Sequence, residues 1–487
     1  MYDLMNHAAR AGGAVVNDVD KKRTRDMSSQ LRRTTRFPRL LGLTAVAATI
    51  ALAAVGCSAG GGDTNTDSRY GFPTVEQDPE APITIWVDAD RAKIAEAFKA
   101  DNPDLTVNIE TYDGNSGGTN SFQTKIALAD AAGEGWPDVV WSGQVNDASW
   151  AAKEQNGVQA FAAPLNLGVT DDGWLDGYTA GALDPVTVDG NVYGARDNLA
   201  PVVFWYNKAL FDEYGYDVPE TWEDYEALSD KLAAEHPGVI LGSIGDPFTA
   251  VLTDMWAAQA PIYTVDSDNN FTADFSDDHT TRMIALLDHM FANGTLTLDG
   301  LFTPDWAANH KDTVLGIPGP TWFIGAVIQN PDSLAAEPGT WAAGTPLHWE
   351  GEDINTGNVG GGFWYGSSHS ANLAAVGKYL QYATSGPKSV ELITGLPAYE
   401  STASEWLDVQ VDSGYWANTD EFKDVVTGAA SSIWPGWGAT LSFSSEPAWA
   451  EIVAPALAEG KTIASVVDEW KTRYENDAQV NGYTVKK

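Results

Sequence analysis

Cysteine occurs once in 487 residues, at Cys57, so no intrachain disulfide can form and stability must come from a buried core. Bases are also scarce: 28 Lys and Arg stand against 67 Asp and Glu, a formal net charge of -39. A surface of that sign repels phosphate backbones and anionic headgroups, which argues against nucleic acid as a partner. After Cys57 no apolar run approaches the roughly 20 residues that span a bilayer, which excludes an integral transporter. The sequence has no HExxH run, no closely spaced His ligands and no Walker loop. Metal hydrolysis and nucleotide use therefore lack support, and neither a metal nor a cofactor is expected.

What is present is a foldable chain: 44% of residues are apolar and 19 are Trp. At roughly 150 residues per domain the length suggests two or three domains. The charge is uneven. Residues 1–56 hold nine bases and four acids, leaving 19 bases and 63 acids in residues 57–487. Arg32, Arg33, Arg36 and Arg39 precede an apolar stretch from Leu40 to Val55, followed by Gly56-Cys57-Ser58, the order of a secretory signal. Ala54-Val55-Gly56-Cys57 resembles a bacterial lipobox, which implies a diacylglyceryl group on Cys57 and cleavage before it. Met27 would begin a signal of more usual length, with Met1–Asp26 as an upstream extension, and the sequence leaves both starts open. Residues 57–80, rich in Gly, Ser, Asp and Thr, are expected to be a lipidated flexible tether.

Beyond the tether, strand and helix patterns alternate. Strands are expected at 82–87, 107–112 and 138–141, with helices at 91–100 and from Phe122 to about Gly133. This alternation predicts a parallel, doubly wound α/β sheet, in which ligands bind outside the carboxyl ends of the strands. Thr221 to Ala234 is a well-signalled helix, with Thr221 as N-cap and Asp224 at the third position. Further helices are expected at 281–292, 371–384, 388–394, 447–458 and 463–474.

Three runs stand in an informative order: Gly190-Asn191-Val192-Tyr193-Gly194, Phe204-Trp205-Tyr206-Asn207-Lys208, and Val218-Pro219-Glu220-Thr221-Trp222. With Pro137-Asp138-Val139, Gly319-Pro320-Thr321-Trp322, Gly360-Gly361-Gly362-Phe363 and Gly395-Leu396-Pro397, they resemble the family of bacterial sugar-binding proteins that includes the maltose-binding protein. The resemblance runs from about Ile83 to Tyr474. It implies a two-lobed periplasmic-binding-protein fold of α/β class, hinged around an interlobe cleft. By that pattern the N-terminal lobe is 81–198 plus 343–385, and the C-terminal lobe is 199–342 plus 386–487. The implied activity is capture of a sugar or oligosaccharide for an ABC importer by a monomer. That receptor would sit at the outer face of the cell membrane, held only by the lipid on Cys57, with the importer permease as partner.

A sugar presents apolar C–H faces and a rim of hydroxyls, so aromatic platforms and carboxylates are the side chains to seek. The resemblance assigns Asp90 and Arg91 to the first strand end, although Asp90 could equally cap the following helix. It assigns Trp141 and Asp147 to the next strand end, Asp246 and Phe248 to an acidic-Pro-aromatic triplet, and Trp322 to a stacking ring. Trp434 and Trp437 match a late aromatic pair. Asp197 lies at the expected first crossover, where it could reach a ligand or cap the hinge. Gly361 and Gly362 would let backbone approach a ligand or form a strained hinge turn.

The alternative is a secreted hydrolase on carbohydrate or ester substrates. Gly114-Asn115-Ser116-Gly117-Gly118 fits a nucleophile elbow between a strand and a helix. Gly56-Cys57-Ser58-Ala59-Gly60 fits the same pattern in the signal region, so the motif is cheap, and the later histidines show no triad neighbourhood. No catalysis is expected.

Overall fold

The computed structural model describes residues 69–114, 121–155, 157–266, 268–393, 395–436 and 441–486. The signal, the lipobox with Cys57 and the first half of the expected tether lie outside them.

Two sheets organise the body. The first contains β1 (Ile83–Val87), β2 (Val107–Thr111), β3 (Val139–Ser142) and β4 (Ala195–Arg196). The second contains β5 (Val202–Asn207), β6 (Gly316–Pro320) and β7 (Trp341–Gly344), after which β8 (Phe363–Gly366) returns to the first. The orders are β2-β1-β3-β8-β4 and β6-β5-β7, one sheet in each lobe.

In the N-terminal lobe, Ile83, Ile85 and Val87 alternate inward along β1 and meet Ile94 and Phe98 of the helix Ala92–Asp101. Val140, Phe363 and Tyr365 face the other way, onto Phe122 and Ile126 of the helix Ser121–Ala132. Burial on both faces is why these strands read as nearly continuous apolar runs. The first three strands are parallel as expected. β8 runs antiparallel to both β3 and β4, so the sheet is mixed. It arrives from the other lobe and not through a strand-helix-strand crossover, so no parallel connection is imposed on it.

β5 is the spine of the C-terminal lobe. Val202, Phe204 and Tyr206 pack on one side, with the Phe204 ring 5.7 Å from Tyr225. Val203 and Trp205 pack on the other, where Trp205 lies 5.3 Å from Trp416. The helix Trp222–Glu235 begins with the expected capping box: Asp224 N donates to Thr221 Oγ1 at 3.0 Å, and Thr221 N donates to Asp224 Oδ2 at 3.2 Å.

Several expectations shift. The helix expected from Thr281 starts at Asp278, because Asp277 accepts from Thr280 N at 3.1 Å and serves as the cap. The helices Glu400–Asp412 and Thr419–Ser431 were not expected, although Phe422, Val426 and Ala429 line one buried face of the second at helical spacing. The chain re-enters the first sheet at Phe363 and not at 343, for β7 pairs with β5, and Trp349 donates to the Ala258 carbonyl at 2.9 Å. The expected tether also ends early. Tyr70 is buried, Asp78 N donates to the Ala371 carbonyl at 2.7 Å, and Gln77 accepts from Leu373 N at 3.0 Å, so residues 70–80 dock on the N-terminal lobe.

Candidate functional site

The lobes meet at a backbone crossover built on glycine. Gly361 and Gly362 take φ of 94° and 41°, and their carbonyls accept from Asn198 N and Asp197 N. A Cβ on Gly361 would lie 2.1 Å from the Asn198 carbonyl oxygen, and one on Gly362 would lie 2.5 Å from the Trp141 ring. Both positions therefore require glycine, and the pair serves the crossover itself. Arg196, fully buried, crosses the same junction: its Nε donates to the Asn198 carbonyl at 3.0 Å and its Nη2 to that of Gly360 at 2.7 Å. Its guanidinium also lies 4.7 Å from the Phe363 ring centroid. Sequence reading named Asp197 here and not Arg196, because nothing local marks an arginine whose partners come from distant segments.

On the N-terminal side the crossover carries Trp141, with the Arg91 guanidinium carbon 4.0 Å above its ring centroid. Arg91 Nη1 donates to Asp88 Oδ2 at 3.1 Å and Nε to Asp197 Oδ2 at 3.3 Å. Trp364 Nε1 donates to the other Asp197 oxygen at 3.0 Å. Asp88, and not Asp90, accepts from Arg91 N at 2.8 Å at the helix start. Burial raises the Asp88 carboxyl above its ordinary value, opposed by the Arg91 charge. Asp90 is exposed and lines a shallow recess with Arg91, Asp197 and Ser389.

On the C-terminal side Trp322 donates through Nε1 to the Val359 carbonyl at 2.9 Å, which places its ring beside Gly360. Phe248 lies 5.2 Å and Phe302 6.1 Å from it, the latter stacked at 28°. Phe302 is 55% exposed, an open aromatic face that sequence reading missed. Asp246 accepts from Thr249 N at 3.0 Å and from Leu301 N at 3.3 Å, so its carboxylate steers the Phe302 loop. Asp254 follows in a π-helical stretch, Phe248–Met255, and burial raises its carboxyl well above the ordinary range, helped by the Asp246 charge.

Asp147 is buried and does not reach this aromatic group. It accepts from Ser142 Oγ at 2.5 Å and from Gln123 Nε2 at 2.9 Å, and burial pushes its carboxyl up to about 6. Trp434 donates to the Trp256 carbonyl at 2.7 Å and folds its ring over Gly436. Its expected partner Trp437 lies outside the described residues, as does Ser116 of the elbow-like run. Between the lobes, an open crevice is bordered by Gln144 and Asn146 on one side and by Trp256, Phe443 and Glu446 on the other. Among the described residues no group of three or more His, Cys, Asp and Glu is placed to hold a metal ion, and no helix is long and apolar enough to cross a membrane.

Carboxylates and aromatic rings gathered beside the crossover, with the Phe302 ring exposed, suit a ligand with apolar faces and a polar rim. Comparison with known proteins agrees with that geometry. The fold is similar to the ABC transporter associated binding protein of Bifidobacterium animalis subsp. lactis in complex with β-1,6-galactobiose, with a TM-score of 0.67, 19% identity, and coverage of 83% of this chain and 99% of that one. It is also similar to the galacto-N-biose/lacto-N-biose I-binding protein of Bifidobacterium longum, with a TM-score of 0.66 at 18% identity over 84% of this chain and 100% of that one. Both are two-lobed, and at these identities the likeness is one of fold. In sequence, 210 residues are 27% identical to an uncharacterized ABC transporter extracellular-binding protein of Pyrococcus horikoshii, covering 42% of this chain. A shorter stretch of 71 residues is 39% identical to an osmoprotective compounds-binding protein of Synechocystis, covering 14% of this chain. The matches span 46% and 17% of those relatives' lengths. Residues 84–386 match the family described as bacterial extracellular solute-binding protein, and the chain belongs to that family.

Proposed function

We propose that this protein is the substrate-binding component of a carbohydrate ABC importer, capturing a sugar or oligosaccharide between its lobes. The observation that carries the reading is the pair of walls adjoining the Gly360–Gly362 crossover: Arg91, Trp141 and Asp197 on the N-terminal side, Phe248, Phe302 and Trp322 on the C-terminal side. Rings of this kind cover sugar C–H faces, and the surrounding carboxylates accept from hydroxyls. Only a closed cleft lets both walls touch one ligand, so binding shifts the population toward closure. The ligands of the two bifidobacterial proteins, β-1,6-galactobiose and lacto-N-biose, support a sugar as the ligand class. In this reading Cys57 carries the lipid that holds a monomeric receptor at the outer face of the membrane, where the permease takes the closed form. The hydrolase alternative gains no support from family or fold.

The test is a thermal-shift screen of the full chain against mono-, di- and oligosaccharides, with product analysis of every hit. A ligand that binds only the native state must raise the melting temperature by mass action. A shift with intact sugar is the expected result. Silence across the panel would overturn the sugar assignment, and cleavage would restore the hydrolase.

A further inference from the structure

A chain of hydrogen bonds passes from one lobe to the other outside the backbone crossovers. Ser142, at the end of β3, donates to Asp147 Oδ2 at 2.5 Å, and Gln123 Nε2 donates to Asp147 Oδ1 at 2.9 Å. The same amide nitrogen donates to the Ser442 carbonyl of the C-terminal lobe at 3.4 Å. An NH₂ group carries two hydrogens, so Gln123 can serve both lobes at once. Ser442 is placed from its own side, its backbone N–H donating to the Tyr483 hydroxyl oxygen at 2.8 Å. Tyr483 is in turn set between the rings of Phe271 and Phe443, at 6.3 and 5.9 Å.

Each end of this chain is anchored in packed structure. Asp147 is only 1% exposed, so its oxygens hold the Gln123 amide in one orientation. Gln123 stands in the first turn of the helix Ser121–Ala132, between the buried Phe122 and the exposed Thr124. A contact made only when the lobes are apposed stabilises the closed form alone, whereas the crossover at Gly360–Gly362 permits rotation without selecting an end state.

We propose that Gln123 is a positioning residue for ligand capture, a latch that joins Asp147 of the N-terminal lobe to the Ser442 carbonyl, with Tyr483 holding that carbonyl in reach. The proposal rests on the receptor reading, yet lobe separation can be measured with no ligand present, which keeps the two apart. The full chain carrying Cys57→Ser is spin-labelled at Leu128→Cys and Val480→Cys, two side chains 66% and 85% exposed, and the interlobe distance is read by pulsed dipolar spectroscopy. Gln123→Met keeps length and removes the donor; Tyr483→Phe keeps the ring and removes the hydroxyl.

Both variants should lengthen the mean distance. With any sugar that stabilises the parent, each should bind about three- to tenfold more weakly, and the double variant no more weakly than the weaker single, because both break one contact. Distance distributions unchanged in both variants overturn the latch, whatever the sugar results. A parent that binds no sugar, with variants that still open, overturns the sugar reading and sustains the latch.

Discussion

The Arg91 guanidinium lies 4.0 Å above the Trp141 ring and bridges two carboxylates, Asp88 and Asp197, that approach from either side. Asp197 is 2% exposed, so the cation compensates a charge that has little access to water. Arg91→Met should destabilise the fold by about 3 kcal/mol at pH 7.5, the cost of leaving a buried carboxylate unpaired. The loss should shrink at pH 5, because the Asp88 carboxyl, already raised by burial, takes up a proton more readily once the Arg91 charge that opposes this is gone. Urea denaturation of both proteins at the two pH values measures this, and an equal loss at both would show that Arg91 acts through packing alone.

Phe302 separates binding from stability. Its ring is 55% exposed and stacks on Trp322, so truncation removes little core. Phe302→Ala should leave the melting temperature within a degree or two of the parent and weaken sugar binding about three- to tenfold, the worth of one aromatic face. Calorimetric titration with a sugar found by thermal shift reads the affinity. Unchanged affinity would place the ligand elsewhere.

The crossover should punish a single methyl group. Gly362→Ala meets the Trp141 ring at 2.5 Å, whereas Gly351→Ala, also at positive φ (79°), meets nothing within 4 Å. The control carries only the left-handed strain of about 1 kcal/mol. Gly362→Ala should cost at least about 2 kcal/mol more, as overpacking of a filled site does. Equal losses in chemical denaturation would show that the ring gives way freely.

Acidic pH should stabilise this protein. Burial pushes Asp147 up to about 6 from an ordinary 3.8, and it raises Asp88, Asp138, Asp254 and Glu446 as well. A carboxyl with a raised folded value binds its proton more tightly in the native state. Its stabilising effect is complete below the unfolded value and is lost as pH rises through the folded one. For Asp147 that window runs from 3.8 to about 6 and corresponds to about 3 kcal/mol. The melting temperature should therefore fall between pH 5 and pH 7.5, and Asp147→Asn should flatten part of the slope. A melting temperature that rises over this range would contradict the assignment.

Much of the fold was legible in local pattern. The capping box at Thr221 and Asp224, the alternation along β1 and the buried run of β3 each depend on neighbours a few residues apart, and the chain encodes such spacing directly. Composition misled where burial was decided at a distance. Residues 70–80 read as tether, yet Asp78 and Gln77 bond to Ala371 and Leu373, and nothing near them in sequence announces those partners.

The candidate site divides the same way. The sequence by itself determined the supply of carboxylates and rings, and the glycines that let two lobes cross, because residue type and order carry those. Tertiary structure alone decided that Asp88 and not Asp90 meets Arg91, that Phe302 presents an open ring, and that Gln123 reaches a carbonyl 319 residues away. Those contacts join segments whose approach depends on how whole elements pack, a geometry that no local pattern specifies.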